Sequence, residues 1–376
     1  MRHLELFAGI GGFRRALDLI QQDLHVPMEC VGFSEIDAKA KQTYCANFHI
    51  GDNEVDMGDI VAFNSDEQNI RNLPDFDLLT GGFPCQSFSM MGQQAGFNDE
   101  HRGQMFFRIL DILAIKRPRY ILLENVKNLY NHDKGNTFKV IKAELERLHY
   151  KIYPDIFNTA DFHLAQIRNR VYILGILNNR RKVEFNANLV AEHFNKIVEQ
   201  ASTEKQESVL DVLKPDVPQK YYLSERIKPT ILSNGTGNFK SKSDINKSPA
   251  RPLTATMHKM HRACQDNYYS DNYIKSKGKD NPVQDLSKED LCKLPIRKLT
   301  PQEAMMLQGF PAQWSVNAQQ QGMSDGNLYK QAGNAVSVNV VYAIVNYCIS
   351  NNIPCCRGSS PTWPPAAVRS PRLCTA

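Results

Sequence analysis

The chain is 376 residues long, with 42% hydrophobic and 23% charged residues and a formal net charge of +5, a composition that suits one large or two smaller globular domains with a substantial core. No early apolar stretch approaches the roughly 20 residues needed to span a bilayer, and "MRHLELFAGIGG" runs straight into a strand-like pattern, so a membrane protein is excluded and a cytoplasmic one expected. The nine cysteines, at 30, 45, 85, 264, 292, 348, 355, 356 and 374, are scattered and include no CxxC pair, which excludes a disulfide framework and a zinc site.

In chain order, "HLELFAG" reads as a first strand and "GFRRALDLIQQ" as a helix, joined by the glycine turn "FAGIGG" at residues 7–12. Glycines there let a ligand approach the backbone, and exposed amides at a helix start favour anionic groups. The spacing Gly9-x-Gly11-Gly12 puts Arg14 where a dinucleotide-binding motif has its third glycine, which weakens a nicotinamide or flavin reading. "MECVGFSE" is the second strand and ends at Glu35, placed to accept hydrogen bonds from both ribose hydroxyls; "AKAKQTYCANF" is the next helix. Asp59 in "MGDI" is suited to accept from an adenine amine. Either acid alone reads as a solvated loop residue, but in this order after a glycine turn they outline an adenosyl site with no place for a pyrophosphate.

"DFDLLTGGF" is a third strand leading into "GGFPCQSFS", where Cys85 is either a packed thiol or a nucleophile. Its neighbours Gly81, Gly82, Pro84, Gln86 and Ser87 are poor core company, and strand ends are where this architecture puts its ligand. The polar, glycine-containing stretch from Gln86 to Gln104 is long enough for a closing lid. "GQMFFRILDILAIK" is helical, and "RYILLENV" is a strand that ends at Glu124. In a partly dry cleft that carboxyl can have a raised pKa and donate a proton; the alternative is an acid capping the next helix. After the helix "NTFKVIKAELERLH", "AQIRNRVYI" supplies Gln166, Arg168 and Arg170, the arginines spaced to share one side of an extended strand. The alternation of strands and helices up to "RVYILGIL" predicts an α/β fold, a parallel sheet covered on both faces.

Beyond about residue 180 this rhythm is lost in a stretch rich in Lys, Asn, Ser, Gly and Tyr, read as a smaller, irregular domain. Residues 1–176 hold 19 Lys+Arg against 23 Asp+Glu, a net of −4, whereas 177–376 hold 26 against 17, a net of +9. The basic half suits a phosphate backbone and equally a solvated surface. Order returns at "LTPQEAMMLQGFP", and "NAVSVNVVYAIVNYCISNNI" reads as a buried helix packing back on the first domain; the tail from 353 to 376 reads as disordered or appended. The expected division is a catalytic domain at 1–180 completed by 325–352, and a recognition domain at 181–324.

The blocks "FAGIGGFRRAL", "GFPCQSFSMMGQQAGFNDEHRGQMFF", "ENVKN", "QIRNRVYILG", "RKLTPQEAMMLQGFP" and "KQAGNAVSVNV", in this order, resemble the cytosine-5 DNA methyltransferase family of bacterial restriction-modification systems. The resemblance covers residues 1–177 and 297–345. It implies a Rossmann-like, S-adenosylmethionine-dependent methyltransferase domain with a mixed, mostly parallel sheet, a target-recognition domain, and a monomer acting on double-stranded DNA; it leaves open whether a cognate restriction endonuclease acts on the same site. For the cofactor it implies Phe7, Gly9 and Gly11 at the methionine end, Glu35 at the ribose, Ile36 against adenine, Asp59 and Ile60 at the adenine edge, and Pro84, Met105, Asn334 and Val336 completing the pocket. Ala335 stands where relatives can carry serine, so no hydroxyl is available there. For chemistry it implies Cys85 as nucleophile, Glu124 at cytosine nitrogen 3, and Arg170 with Arg168 at the cytosine oxygen and adjacent backbone. For DNA it implies Gln86, Ser87, Ser89 and Arg102, with Arg251, Lys259 and Arg262 from "ARPLTATMHKMHR". The rival readings are the same chemistry on tRNA, a nicotinamide-dependent enzyme with a structural Cys85, and a catalytically dead DNA-binding protein.

Overall fold

In a computed structural model of the chain, residues 1–84, 105–235, 240–281 and 286–353 are described. Cys85, Gln86, Ser87, Ser89, Arg102, the expected lid and the tail from 354 lie outside them.

Seven strands form one sheet: β1 (Arg2–Leu6), β2 (Glu29–Ser34), β3 (Val55–Asp56), β4 (Leu78–Gly82), β5 (Tyr120–Val126), β6 (Tyr150–Asn158) and β7 (Asn169–Leu177). Their order is β3-β2-β1-β4-β5-β7-β6, parallel except for β7, which runs antiparallel to both neighbours. The sheet is therefore mixed and mostly parallel, and its carboxyl edge collects the loops after β1, β2, β4 and β5.

Successive residues of β5 feed opposite cores. Tyr120 and Leu122 join the core under α1 (Gly12–Leu24) and the C-terminal helix Val338–Ser350. Ile121 and Leu123 join the core on the other face, with α2 (Ala38–Asn47) flanking β2 and α3 (Ile60–Asn64), α4 (Glu67–Asn72), α5 (Met105–Lys116) and α6 (Asn136–Arg147) packed around it. Burial on both faces is why these strands read as continuous apolar runs.

Two strands of this sheet escaped the sequence pattern. β3 has two residues, and β6 carries Pro154 at the sheet edge, where a missing backbone donor costs no ladder bond.

The stretch after β7 does not form one unit. Helix α7 (Ala187–Ile197) buries Val190 and Phe194 in the core shared with α1 and Val338–Ser350. A separate small core gathers Leu223, Ile231, Ile245, Tyr268, Leu291 and Ile296, around the two-stranded ribbon β8 (Tyr268–Ser270) and β9 (Ile296–Lys298). The helices Pro301–Met306 and Gln313–Gln320 return to the first core, where Trp314 Nε1 donates to the Ile10 carbonyl at 3.3 Å. Among the described residues, one stretch is apolar and long enough to cross a membrane, Asp325–Ser350, and the most apolar 18 residues of it are 94% buried inside the protein, as a core helix is.

Candidate active site

The turn after β1 holds three residues in the left-handed region: Phe7 (φ 53°), Gly9 (φ 57°) and Gly11 (φ 84°). A non-glycine residue there stores strain, which concentrates at ligand sites. Gly11 is required twice over, because a Cβ at this position would stand 2.1 Å from the Phe48 ring. Arg14, the residue in place of a third glycine, is tied to Glu54 at 2.6 Å and to the Tyr44 hydroxyl at 3.0 Å. It is a packing residue that leaves no phosphate cradle, which counts against the nicotinamide reading.

Glu35 stands at the end of β2 and faces this turn. One oxygen accepts from the Gly9 amide and the other from the Asp37 amide, each at 2.7 Å. Burial raises its pKa, with those two amides opposing the rise. Each oxygen keeps lone pairs for a further donor. Beside it, Ile36 is 74% exposed, a large apolar side chain left for a flat ligand to cover. Asp59 caps α3 by accepting from Val61 N at 2.9 Å. The Ile60 side chain is buried in the core, so only its backbone remains for an adenine edge.

The returning segment closes the crevice. Val336 packs so tightly on the start of α1 that a Cβ at Gly12 would meet its Cγ2 at 2.5 Å; a Cβ at Gly82, across the cleft, would stand 3.7 Å from its Cγ1. Asn334 is exposed at the end of helix Asp325–Asn334, Pro84 is exposed after β4, and Met105 opens α5 half-buried. Glycine turn, ribose-type acid, exposed Ile36 and the Val336 wall together fit an adenosyl cofactor.

The chemical end is built on β5. Glu124 pairs across the sheet with Gly82, three residues before Cys85. Its carboxyl is nearly buried and takes Arg170 Nε at 3.1 Å. Burial raises the Glu124 pKa, while Arg170 and then Arg168 pull it back. The net shift is upward, the direction a carboxyl that is to donate a proton requires.

Arg168 does not join this pair. Its guanidinium is taken up by the carbonyls of Leu253, Gly333 and Ala335, all at 3.0 Å. The expected one-sided arginine pair is corrected on this point. Arg168 precedes β7 and lies in a segment hydrogen-bonded to residues 250–253, so strand alternation does not govern it.

A residue that the sequence reading passed over is Asn125. Buried next to Glu124, it donates from Nδ2 to the Phe83 carbonyl at 2.8 Å and so fixes the chain two residues before Cys85. Its signal lay inside the quoted "ENVKN" block.

Of the expected DNA residues, Lys259 is exposed. Arg251 donates to the Asp244 carbonyl at 3.1 Å and Arg262 to Ser233 Oγ at 3.0 Å. Among the described residues no cluster of His, Cys, Asp or Glu is suited to a metal.

A sequence profile described as C-5 cytosine-specific DNA methylase matches residues 1–350. The Type II methyltransferase M.DsaV of Dactylococcopsis salina is 35% identical over 93% of this chain and 86% of its own length. The Type II methyltransferase M.SsoII of Shigella sonnei is 37% identical over 93% of this chain and 80% of its own length. Among solved structures, the Dnmt2 methyltransferase of S. pombe superposes with a TM-score of 0.69 at 23% identity, covering 93% of this chain and 99% of that one. That likeness establishes the α/β methyltransferase fold.

Proposed function

Since the chain belongs to the C-5 cytosine-specific DNA methylase family, we propose that it methylates carbon 5 of a flipped-out cytosine in a specific duplex sequence, through Cys85, Glu124 and Arg170. The observation that carries the residue roles is the buried Glu124–Arg170 pair beside Gly82, at the strand end that leads to Cys85. When bound, S-adenosylmethionine supplies an electrophilic methyl group on a sulfonium. Phe7, Gly9 and Gly11 would hold its methionine end, Glu35 its ribose, and Ile36, Asp59 and the Ile60 backbone its adenine, with Pro84, Met105, Asn334 and Val336 around it.

Cytosine carbon 5 is too poor a nucleophile to take a methyl group unaided. The Cys85 thiolate adds to carbon 6 while Glu124 donates its proton to ring nitrogen 3, so the ring becomes an enamine with its electron pair at carbon 5. Arg170 holds Glu124 by its Nε and binds the cytosine oxygen as charge develops there. Once carbon 5 carries the methyl group, water removes its proton, the thiolate leaves carbon 6, and nitrogen 3 returns its proton to Glu124. Flipping the base costs a few kcal/mol, which the DNA contacts must offset.

The kinship with restriction-modification enzymes supports duplex DNA over tRNA as substrate, and our reading is of a monomer working in the cytoplasm. Bisulfite sequencing of DNA from expressing cells tests the activity and reports the sequence context. Transfer of tritiated methyl groups is expected into duplex DNA and not into tRNA. Cys85→Ser should abolish it, whereas Glu124→Gln should slow it by about 10²–10⁴-fold. Methylation that survives Cys85→Ser would overturn the covalent mechanism.

A further inference from the structure

The buried Arg168 joins two segments distant in sequence, and its three acceptors divide between them. Leu253, itself buried in the large core, lies in the "ARPLTATMHKMHR" segment expected to meet DNA, whereas Gly333 and Ala335 flank Asn334 in the proposed cofactor wall. The first segment is stitched to the chain around Arg168. Ile167 N donates to the Ala250 carbonyl at 2.9 Å, Ala250 N to the Ala165 carbonyl at 2.8 Å, and Leu253 N to Gln166 Oε1 at 2.8 Å. The second segment abuts the first with no room to spare. A Cβ at Gly333 would stand 2.2 Å from the Thr254 carbonyl carbon and 2.3 Å from Ala255 N.

At its other flank, helix Asp325–Asn334 is fastened to the adenosyl side of the crevice. Lys330 Nζ reaches Asp37 at 2.6 Å, Gln331 Nε2 donates to the Lys39 carbonyl at 2.9 Å, and Thr43 Oγ1 meets Gln331 Oε1 at 3.0 Å. Asp37 directly follows Ile36. The helix that ends beside Gly333 is thus tied to the residue after Ile36.

We propose that Arg168 is a positioning residue whose guanidinium sets the cofactor wall at 333–336 in register with the recognition segment at 253–255, so that one buried cation assembles the cofactor and DNA sites together. A planar fork serves three carbonyls held in fixed directions; an ammonium, as a point charge, does not. The inference rests on the cofactor reading given above.

The test is calorimetric binding of S-adenosylhomocysteine, well below the unfolding temperature, to the wild type and to Arg168→Lys, Arg168→Met, Arg170→Lys and Lys330→Met. Arg168→Lys is expected to bind about tenfold more weakly and Arg168→Met more weakly still, because carbonyls lose charge-assisted bonds. Arg170→Lys should stay within about twofold of wild type, as its partner is Glu124 and not the cofactor wall. Lys330→Met alters an exposed pair and leaves the fold intact, yet loosens the same helix; about threefold weaker binding is expected. A wild type that fails to bind overturns the cofactor reading itself. Wild-type binding with Arg168→Lys unchanged overturns this inference alone. Should the Arg168 variants not fold, unchanged affinity in Lys330→Met overturns it equally.

Discussion

Glu5 has no solvent exposure in the middle of β1, beneath the first turn of α1. It accepts from the Tyr44 hydroxyl at 3.2 Å and from the Arg14 backbone at 3.4 Å. Burial pushes its pKa up to about 8; the Arg14 charge opposes the rise and Asp18 adds to it. Between 4.5, its ordinary value, and about 8, the folded state keeps a proton that the unfolded chain has shed. The stability that Glu5 contributes therefore falls as pH rises through that window, and the fall is complete once pH passes the folded value. Glu35 and Glu124, also raised by burial, slope the same way. Glu5→Gln keeps the shape and cannot ionise, so its urea midpoint should decline less than that of the wild type between pH 5 and pH 8, a range chosen to bracket most of the window. Equal declines would assign the pH dependence to the other acids raised by burial, which include Asp18, Asp161, Glu204 and Asp266 beside Glu35 and Glu124.

At the scale of the element, the turn between β1 and α1 separates two costs that are usually mixed. Gly9→Ala at φ 57° meets nothing closer than the Phe7 carbonyl oxygen at 4.0 Å, so it should cost about 1–2 kcal/mol of backbone strain alone. Gly11→Ala at φ 84° adds overlap with a Phe48 ring that is packed against Tyr44, Trp314 and the Arg14 guanidinium. It should destabilise by clearly more, and equal urea midpoints for the two variants would show that Phe48 yields. The same turn was legible in the sequence because glycine is the residue that left-handed backbone selects. The strands β1, β2, β4, β5 and β7 were legible because burial on two faces leaves continuous apolar runs. β6 was not, since an edge strand tolerates Pro154 and polar residues that break the pattern. Asn125 and Arg168 were opaque in another way. Their roles are set by the carbonyls of Phe83, Leu253, Gly333 and Ala335, partners that sequence periodicity does not bring together.

For the whole molecule, the question is where the charge excess of the second half acts. The +9 of residues 177–376 is not a uniform film, because part of it is committed inside the fold. Arg297 is fully buried against Glu303 at 2.8 Å, and Arg251 and Arg262 hold Asp244 and Ser233. Lys259, two residues past the Met257 that packs against the large core, is exposed on the same "ATMHKMHR" stretch and is the residue of that segment we propose for contact with DNA. These residues should therefore part company in one experiment. Lys259→Ala should leave the unfolding midpoint unchanged, while the slope of log affinity for duplex DNA against log salt becomes shallower by about one. Arg251→Ala should cost about 1–3 kcal/mol of stability through the lost bond to the Asp244 carbonyl. Anisotropy of a labelled duplex across a salt series, run beside urea unfolding, reads both. A slope that Lys259→Ala does not change would move the phosphate contacts of this half away from residues 250–262, and with them the surface on which the recognised sequence is read.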